Sequence, residues 1–407
     1  MKDQQRLLSL DAFRGFTIAA MLLVNNPGDW GHLYGPLAHA HWDGWTFTDW
    51  IFPFFVFISG ISMTMSLGRR AALGDSKSAL LMQTTRRGLT IIAIGLALNL
   101  IPAFDLGSLR IPGVLQRLGL CTILTAPLVL FFSWRQQIGW FVGLLTAYTL
   151  IQLLVPVPDA AGVIHTGSLQ PGEDVGAWLD RLLMDGHLWK TSRTWDPEGL
   201  LSTLPAVASQ LAGVLVGHWL MDGAPTHAGT RTAPRGGEAV LGSGPANGLA
   251  KRLPGEKAMW LLVAGLACLW AGQLLDAGLM PINKSLWTPS YVVFMAGWAN
   301  LVFGVFYWLL DAMPLPLARA RLARWAHPLV VFGMNALFIF ALSGLVAKLL
   351  AFIKLGDGSS LKAALYAPIV ALQLAPVNSS LLFALGFVAA MYVVAWAMWK
   401  KRWFVKV

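Results

Sequence analysis

Residues 38–50 read AHAHWDGWTFTDW, so two histidines, two aspartates and three tryptophans share one short stretch, and the nearly all-apolar run IFPFFVFISGISMTMSL follows at once. A histidine titrates near neutrality, so it can take a proton from an amine or hydroxyl and return it to a leaving group. It can also carry an acyl group transiently. Asp49 has the chemistry to orient such an imidazole, and Asn25, which ends the first apolar segment, can donate a hydrogen bond to a developing oxyanion. The spacing His39-x-His41-x-Asp43 would suit a metal. No distant partner of ligand type accompanies it, so no metal is expected.

The surrounding elements must hold this chemistry at a membrane. The chain of 407 residues is 56% hydrophobic and 12% charged, with mean hydropathy +0.61; soluble chains carry about 25% charged residues. The expected fold is all-α, a polytopic membrane helix bundle with about ten transmembrane helices, because a spanning helix needs roughly 20 apolar residues. The spans fall at 9–27, 46–68, 87–104, 113–133, 138–157, 199–221, 257–279, 286–311, 327–352 and 379–399. The first reads as a retained helix, since Asp11 and Arg14 interrupt a leader-like start and no small-residue cleavage site follows. The stretch 361–375 is apolar but short, and is expected to lie at the interface or re-enter. Residues 222–256, rich in Gly, Pro and Ala, read as a flexible linker between helix groups 1–221 and 257–407 of one membrane domain. Cys121 and Cys268 both lie in apolar runs, which argues against a disulfide framework.

With the N-terminus in the cytoplasm, every second loop is basic: Arg69, Arg70, Lys77, Arg86 and Arg87, then Arg135, then Arg231 to Lys257, then Arg319 to Arg324, then Lys400 to Lys406. Such alternation is the positive-inside pattern. It accounts for the net charge of +10 without a nucleic-acid partner and places both termini inside. GxxxG spacing at Gly139 with Gly143 and at Gly213 with Gly217 permits close helix approach.

Ionisable residues near membrane depth are costly and mark function or buried pairs. On the outward side the chain collects Asn25, the 32–49 cluster, Arg110 and Arg117, Asp196 and Glu198, and Asn283 and Lys284. Convergence of separate segments at one depth is the pattern of a shared site. Structural readings stand beside this one. Asp196 before Pro197 suits a helix N-cap, and Asn283 suits another. Trp42, Trp45 and Trp50 suit an interfacial belt as well as a sugar platform. Asp11 and Arg14 suit an i, i+3 pair, and Asn335 in mid-helix suits a helix–helix hydrogen bond.

The blocks RLLSLDAFRGFTIAAMLLVNN, HAHWDGWTFTDWIFPFFVFISG, RIPGVLQRLG, DPEGLL, NKSLWTPSY and GMNALF occur in this order. Together they resemble the heparan-α-glucosaminide N-acetyltransferase family, in its bacterial branch of N-acetylglucosamine-related membrane proteins. The resemblance implies a transmembrane acetyltransferase of the inner membrane, with cytoplasmic acetyl-CoA as donor, a glucosamine-type amine outside as acceptor, and a homodimer. The family's H-x-x-W-x-G block falls on His39, Trp42 and Gly44; its active histidine is then His39, with Asn25 and Asp49 beside it. Candidate donor contacts are Arg14, Arg117 and Asn335. Candidate acceptor contacts are Trp42, Asp196, Glu198, Asn283, Lys284 and Trp287. This chain departs from the block by His41, a second imidazole two residues on. Two routes remain, direct transfer in a ternary complex and an acetyl-histidine intermediate; the direct one needs a single proton acceptor. The alternative function is a secondary transporter of N-acetylglucosamine or a related amino sugar. Transporters favour internal repeats and midplane sites, and the sequence has no repeat and its polar groups lie towards one face. A purely structural membrane protein would not need His39, Asn25 and Asp49 together.

Overall fold

The computed structural model describes residues 7–221 and 252–405. The fold is an all-α polytopic bundle: α1 (Leu8–Asn25), α2 (Phe47–Ala72), α3 (Lys77–Leu100), α4 (Val114–Phe131), α5 (Trp134–Leu154), α6 (Val175–Met184), α7 (Thr203–Met221), α8 (Pro254–Gly278), α9 (Pro289–Ala312), α10 (Pro316–Met334), α11 (Ala336–Phe352), α12 (Leu361–Val370) and α13 (Pro376–Lys400). One small hairpin, β1 (Pro156–Pro158) paired antiparallel with β2 (Ile164–Thr166), precedes α6. Almost all of the expected linker, 222–251, lies outside the described residues.

Among the described residues eight helices are long and apolar enough to cross a membrane, and the bent pair α10–α11 makes up to nine. The tenth expected span, 87–104, falls on α3, whose first half carries Lys77, Arg86 and Arg87 and lowers its hydropathy. The helix starts are read locally. Ser133 and Gln136 form a capping box on α5, and proline opens α8, α9, α10 and α13. The α12 helix has 10 residues, about 15 Å at 1.5 Å each, half of a hydrocarbon core. It is therefore too short to span.

Two glycine crossings set the bundle. A Cβ on Gly15 would stand 1.7 Å from the Leu329 carbonyl oxygen, and one on Gly333 2.0 Å from that of Asp11, so α1 and α10 touch backbone to backbone. Likewise Gly60 meets Gln210, and Gly213 meets the Phe57 carbonyl at 2.0 Å, joining α2 to α7. The second GxxxG pair therefore packs helices, whereas Gly139 and Gly143 face open space. Around these crossings Phe13 packs on Phe54 and Phe303 with ring centroids 5.4 and 5.8 Å apart.

The span expected over 327–352 is not one helix. It bends by 70° at Asn335, whose φ of −125° and ψ of 33° leave the helical region. The Asn335 amide does not bridge two helices. It donates to the Trp403 carbonyl at 3.0 Å and accepts from Val405 N–H at 2.9 Å, so it holds the chain beyond α13.

Asn25 at the end of α1, the start of α2, the end of α3 and the starts of α4, α7 and α9 form one end of the bundle, where the connecting segments meet. Arg69 and Arg70 at the end of α2, Arg135 at the start of α5, Arg252 before α8, Arg319 in α10 and Lys400 at the end of α13 sit at the opposite helix ends.

Candidate active site

A short 3-10 turn, Phe47–Trp50, opens α2 and carries Asp49. Thr46 and Asp49 form a capping box, which buries the carboxylate to 1% exposure. Asp49 Oδ2 accepts Ala40 N–H at 3.1 Å and Thr46 N–H at 2.9 Å, while Oδ1 lies 2.6 Å from His39 Nδ1. Thr46 Oγ1 donates to the Ala38 carbonyl and Thr48 Oγ1 to that of Pro36, which fixes the strand of chain bearing His39. From α9, the Tyr291 hydroxyl donates to the Asp49 carbonyl at 2.6 Å. An ionised carboxylate can only accept, so the hydrogen of the His39–Asp49 bond sits on Nδ1, and in the neutral ring Nε2 is the nitrogen with the lone pair. The His39 side chain is 49% exposed. The cap that starts the helix thus also orients the imidazole.

A second segment, between α8 and α9, closes on this one. Asp43 and Asn283 form an isolated β-bridge, Gly44 N–H donates to the Ile282 carbonyl at 2.7 Å, and Asn283 Nδ2 donates to Asp43 Oδ1 at 3.1 Å. Asn283 is fully buried and also accepts Leu286 N–H. This pairing brings Lys284 Nζ to 3.2 Å from both ring nitrogens of His39 and 3.9 Å from Asp49 Oδ1. Burial lowers the Lys284 pKa below the ordinary ammonium value, against the opposing pull of Asp49 and Glu198.

A third group comes from the loops before α4 and α7. Arg110 donates through Nε and Nη2 to both oxygens of Asp196 at 2.8 and 2.6 Å, and through Nη2 to Glu198 Oε2 at 2.6 Å. The α7 helix begins only at Thr203, so Asp196 is the partner of Arg110 and not the cap of that helix. Burial pushes the Glu198 carboxyl up, but the cations of Arg110, Arg117 and Lys284 outweigh it and hold it below the usual range. Arg117 is 1% exposed in α4 and donates to the Gly199 carbonyl at 2.9 Å and to Ser202 Oγ. Its Nε and Nη1 have no hydrogen-bond partner among the described residues, and its guanidinium stands 5.1 Å from the ring centre of Trp287. Trp287 is 1% exposed and donates to Ser209 Oγ, so it backs Arg117 from within the core and offers no face to solvent.

The other expected site residues are placed as follows. Trp42 donates to the Leu169 carbonyl at 2.9 Å and meets Trp195 edge-on at 5.0 Å, tying the site to the loop after β2. Trp45, Trp50 and Trp298 stack in sequence, with Trp50 and Trp298 centroids 4.3 Å apart. Asn25 is exposed and its side chain has no hydrogen bond to the His39–Asp49 pair. Arg14 lies near the start of α1, paired with Asp11 at 3.1 Å and Ser62 Oγ at 2.8 Å, which matches the i, i+3 reading. Asn335 is engaged by the C-terminal backbone. Among the described residues no three His, Cys, Asp or Glu side chains converge as a metal site would require.

The sequence reading passed over a small crevice beside this cluster, lined in part by Tyr148, Gln152, Asp174, Asp180, Asp196 and Ser202. Burial drives Asp180 up to about 7 and raises Asp174 as well. Asp174 caps α6, and Asp180 accepts Leu200 N–H at 2.9 Å. The available signal was an aspartate at the cap position before Val175 and a second within the helix at Asp180.

A family model described as "Heparan-alpha-glucosaminide N-acetyltransferase, catalytic" matches residues 6–175, the part that carries Asn25, His39, Asp49, Arg110 and Arg117. The human heparan-alpha-glucosaminide N-acetyltransferase is 30% identical over 388 residues, covering 82% of this chain and 52% of the relative. The chain belongs to the heparan-alpha-glucosaminide N-acetyltransferase family. The mouse enzyme of the same name is 28% identical over 386 residues, covering 82% of this chain and 53% of the relative. The chain therefore spans about half the length of the curated relatives it matches. The His39 block and the Arg110–Arg117 block of this family member lie inside the matched region, and the Lys284 segment lies beyond the family model.

Proposed function

We propose that the protein is a transmembrane acetyltransferase that moves the acetyl group of cytoplasmic acetyl-CoA to the amine of a glucosamine-type sugar on the far side of the membrane. The single observation that carries this reading is His39, half exposed at the end of the bundle and bonded through Nδ1 to a buried carboxylate. That arrangement leaves Nε2 as a base aimed away from its anchor. The names of the curated relatives support the substrate class.

In the direct route His39 Nε2 takes the proton of the attacking amine as the new C–N bond forms. It then gives that proton to the thiolate as the C–S bond breaks. Asp49 fixes the ring and stabilises the imidazolium between these events. The donor set here suits the acyl end of the donor: an imidazole, an ammonium and, deeper in the core, two Arg117 nitrogens without a hydrogen-bond partner among the described residues. The basic side chains at the other helix ends, Arg69, Arg70, Arg86 and Arg319 among them, suit the nucleotide, and the positive-inside rule puts that end in the cytoplasm. Trp42 and the Trp45 ring offer faces for a sugar, and Asn25 lies exposed at the same end of the bundle.

The test uses the purified full chain in detergent with labelled acetyl-CoA and glucosamine. Acetyl transfer that vanishes in His39→Ala, and in His39→Ala with His41→Ala, supports the proposal. Sugar uptake into liposomes without CoA, with no acetylated product, refutes it in favour of a transporter.

A further inference from the structure

Lys284 is placed for a charge that the resting protein does not hold. Its Nζ is 3.2 Å from both His39 Nδ1 and Nε2. A donor aligned with one ring lone pair stands well away from the other nitrogen, so equal distances put the ammonium off both lone-pair axes. The nearest carboxylate oxygen, Asp49 Oδ1, is 3.9 Å away, beyond hydrogen-bond reach. Both Asp49 oxygens already accept from His39, Ala40 and Thr46. Among the described residues no oxygen accepts a hydrogen bond from Nζ, although the backbone that bears it is held by the Asp43–Asn283 bridge. With its backbone held and its ion-pair partner Asp49 beyond hydrogen-bond reach, the ammonium keeps donors for an anion that arises during the reaction. It does not fit the acceptor amine, which arrives with the same sign of charge.

We infer that Lys284 is a catalytic residue whose ammonium stabilises the oxyanion formed on the acetyl carbonyl. This rests on the acetyl-transfer reading above. As the amine nitrogen bonds to the carbonyl carbon, the π pair of the C=O moves to oxygen and comes to lie against Nζ, while the amine proton passes to His39 Nε2. Collapse restores the C=O bond and expels the thiolate, which takes the proton from Nε2. Lys284 keeps its own protons throughout. The ammonium is in place before the charge appears, so little reorganisation is needed when it does.

The experiment compares the wild type with Lys284→Gln, Lys284→Met and Lys284→Arg, purified as full chains and checked for melting temperature, in acetyl transfer from acetyl-CoA to glucosamine. The two neutral variants provide a second chance should one of them fold poorly. Removal of one oxyanion donor lowers kcat on the order of 10²–10³-fold, with KM for both substrates expected to stay within about threefold, because the lost contact exists only in the transition state. Arg retains the charge and is expected to recover at least about tenfold over Gln. A merely structural lysine would not split kcat from KM in this way, nor be rescued by Arg. The inference is overturned if the neutral variants keep kcat within threefold of wild type, if the loss lies in KM alone, or if Arg is no better than Gln. A wild type with no acetyl transfer removes the acetyl-transfer reading and this inference together; an active wild type with indifferent variants removes the inference alone.

Discussion

Replacing Asp49 by Asn separates its two duties. The carboxylate caps the turn at Phe47–Trp50 and bonds His39 Nδ1 at 2.6 Å. An asparagine oxygen can still accept from Ala40 and Thr46 N–H, the two bonds now made by Oδ2, so the turn is expected to survive. Its amide NH₂ then faces His39 Nδ1, which must turn acceptor, and the ring hydrogen moves to Nε2, the atom that has to take the amine proton. The lost charge comes first in the reckoning. A hydrogen bond to a charged group contributes about 1.5–3 kcal/mol, and each 1.36 kcal/mol is tenfold in rate, so this alone costs roughly 10- to 150-fold. The wrong tautomer adds to it; the equivalent change in a serine-protease triad costs about 10⁴. Because His39 is half exposed and screened by water, we expect a loss of about 10³ in kcat, with a melting temperature within a few degrees of wild type. Initial rates with saturating acetyl-CoA and glucosamine measure it. A folded Asp49→Asn protein that keeps a tenth or more of wild-type kcat would refute the reasoning and leave Asp49 as a helix cap only.

Three further outcomes follow from the packing and charge. Arg110→Ala strands Asp196, whose side chain is wholly buried, and Glu198 at 9% exposure; removing one partner of a buried pair costs about 3–5 kcal/mol, and thermal unfolding in detergent should register it as a clear drop in midpoint. Asp180 is protonated more readily folded than unfolded, since burial lifts it from 3.8 to about 7. Its contribution is therefore fully present below its unfolded pKa and declines as pH rises towards 7, by an amount on the order of a few kcal/mol. Asp180→Asn should flatten that decline, so the variant's melting temperature gains on wild type at pH 8 relative to pH 5, and an unchanged difference would count against a neutral Asp180. Gly213→Ala places a methyl 2.0 Å from the Phe57 carbonyl and is expected to cost about 1–3 kcal/mol through overpacking, whereas Gly139→Ala, in open space, should be neutral or slightly stabilising by the same melting assay.

How far the molecule was legible in its sequence depends on the reach of each signal. Hydropathy is local, and all ten apolar stretches fall on helices. It was blind to Asn335, because a break in a helix at that residue is set by partners 68 and 70 positions away, Trp403 and Val405. The His39–Asp49 pair was readable because ten residues and a capping box keep it within one segment. Lys284 was visible as an outward charge, but its contact with the imidazole spans 245 residues and comes from a two-residue β-bridge that no periodicity announces. A separation of 86 residues hides the partnership of Arg110 with Asp196, where a proline after the aspartate suggested a helix cap that the real helix start, Thr203, leaves unused.

The charges at this end of the bundle form two layers with different work. Arg110, Asp196 and Glu198 are mutually saturated: three charge-assisted bonds join one guanidinium to two carboxylates. Such a group stabilises position and has little left to offer a substrate. His39, Asp49 and Lys284 are not saturated, since Nε2 of the neutral ring keeps a lone pair and, among the described residues, Nζ has only the Asp49 carboxylate at 3.9 Å and no hydrogen-bonded oxygen. Free valence next to a rigid, satisfied support is how a site can meet a developing charge without moving. The layered arrangement also explains why a lysine beside a histidine does not drift to the nearby Glu198: Arg110 already occupies that carboxylate. If Arg110 were removed without loss of fold, Lys284 would be drawn towards Glu198 and away from His39. Activity would then fall further than stability alone predicts, and an Arg110→Lys variant, which keeps a cation on the pair, would restore most of it.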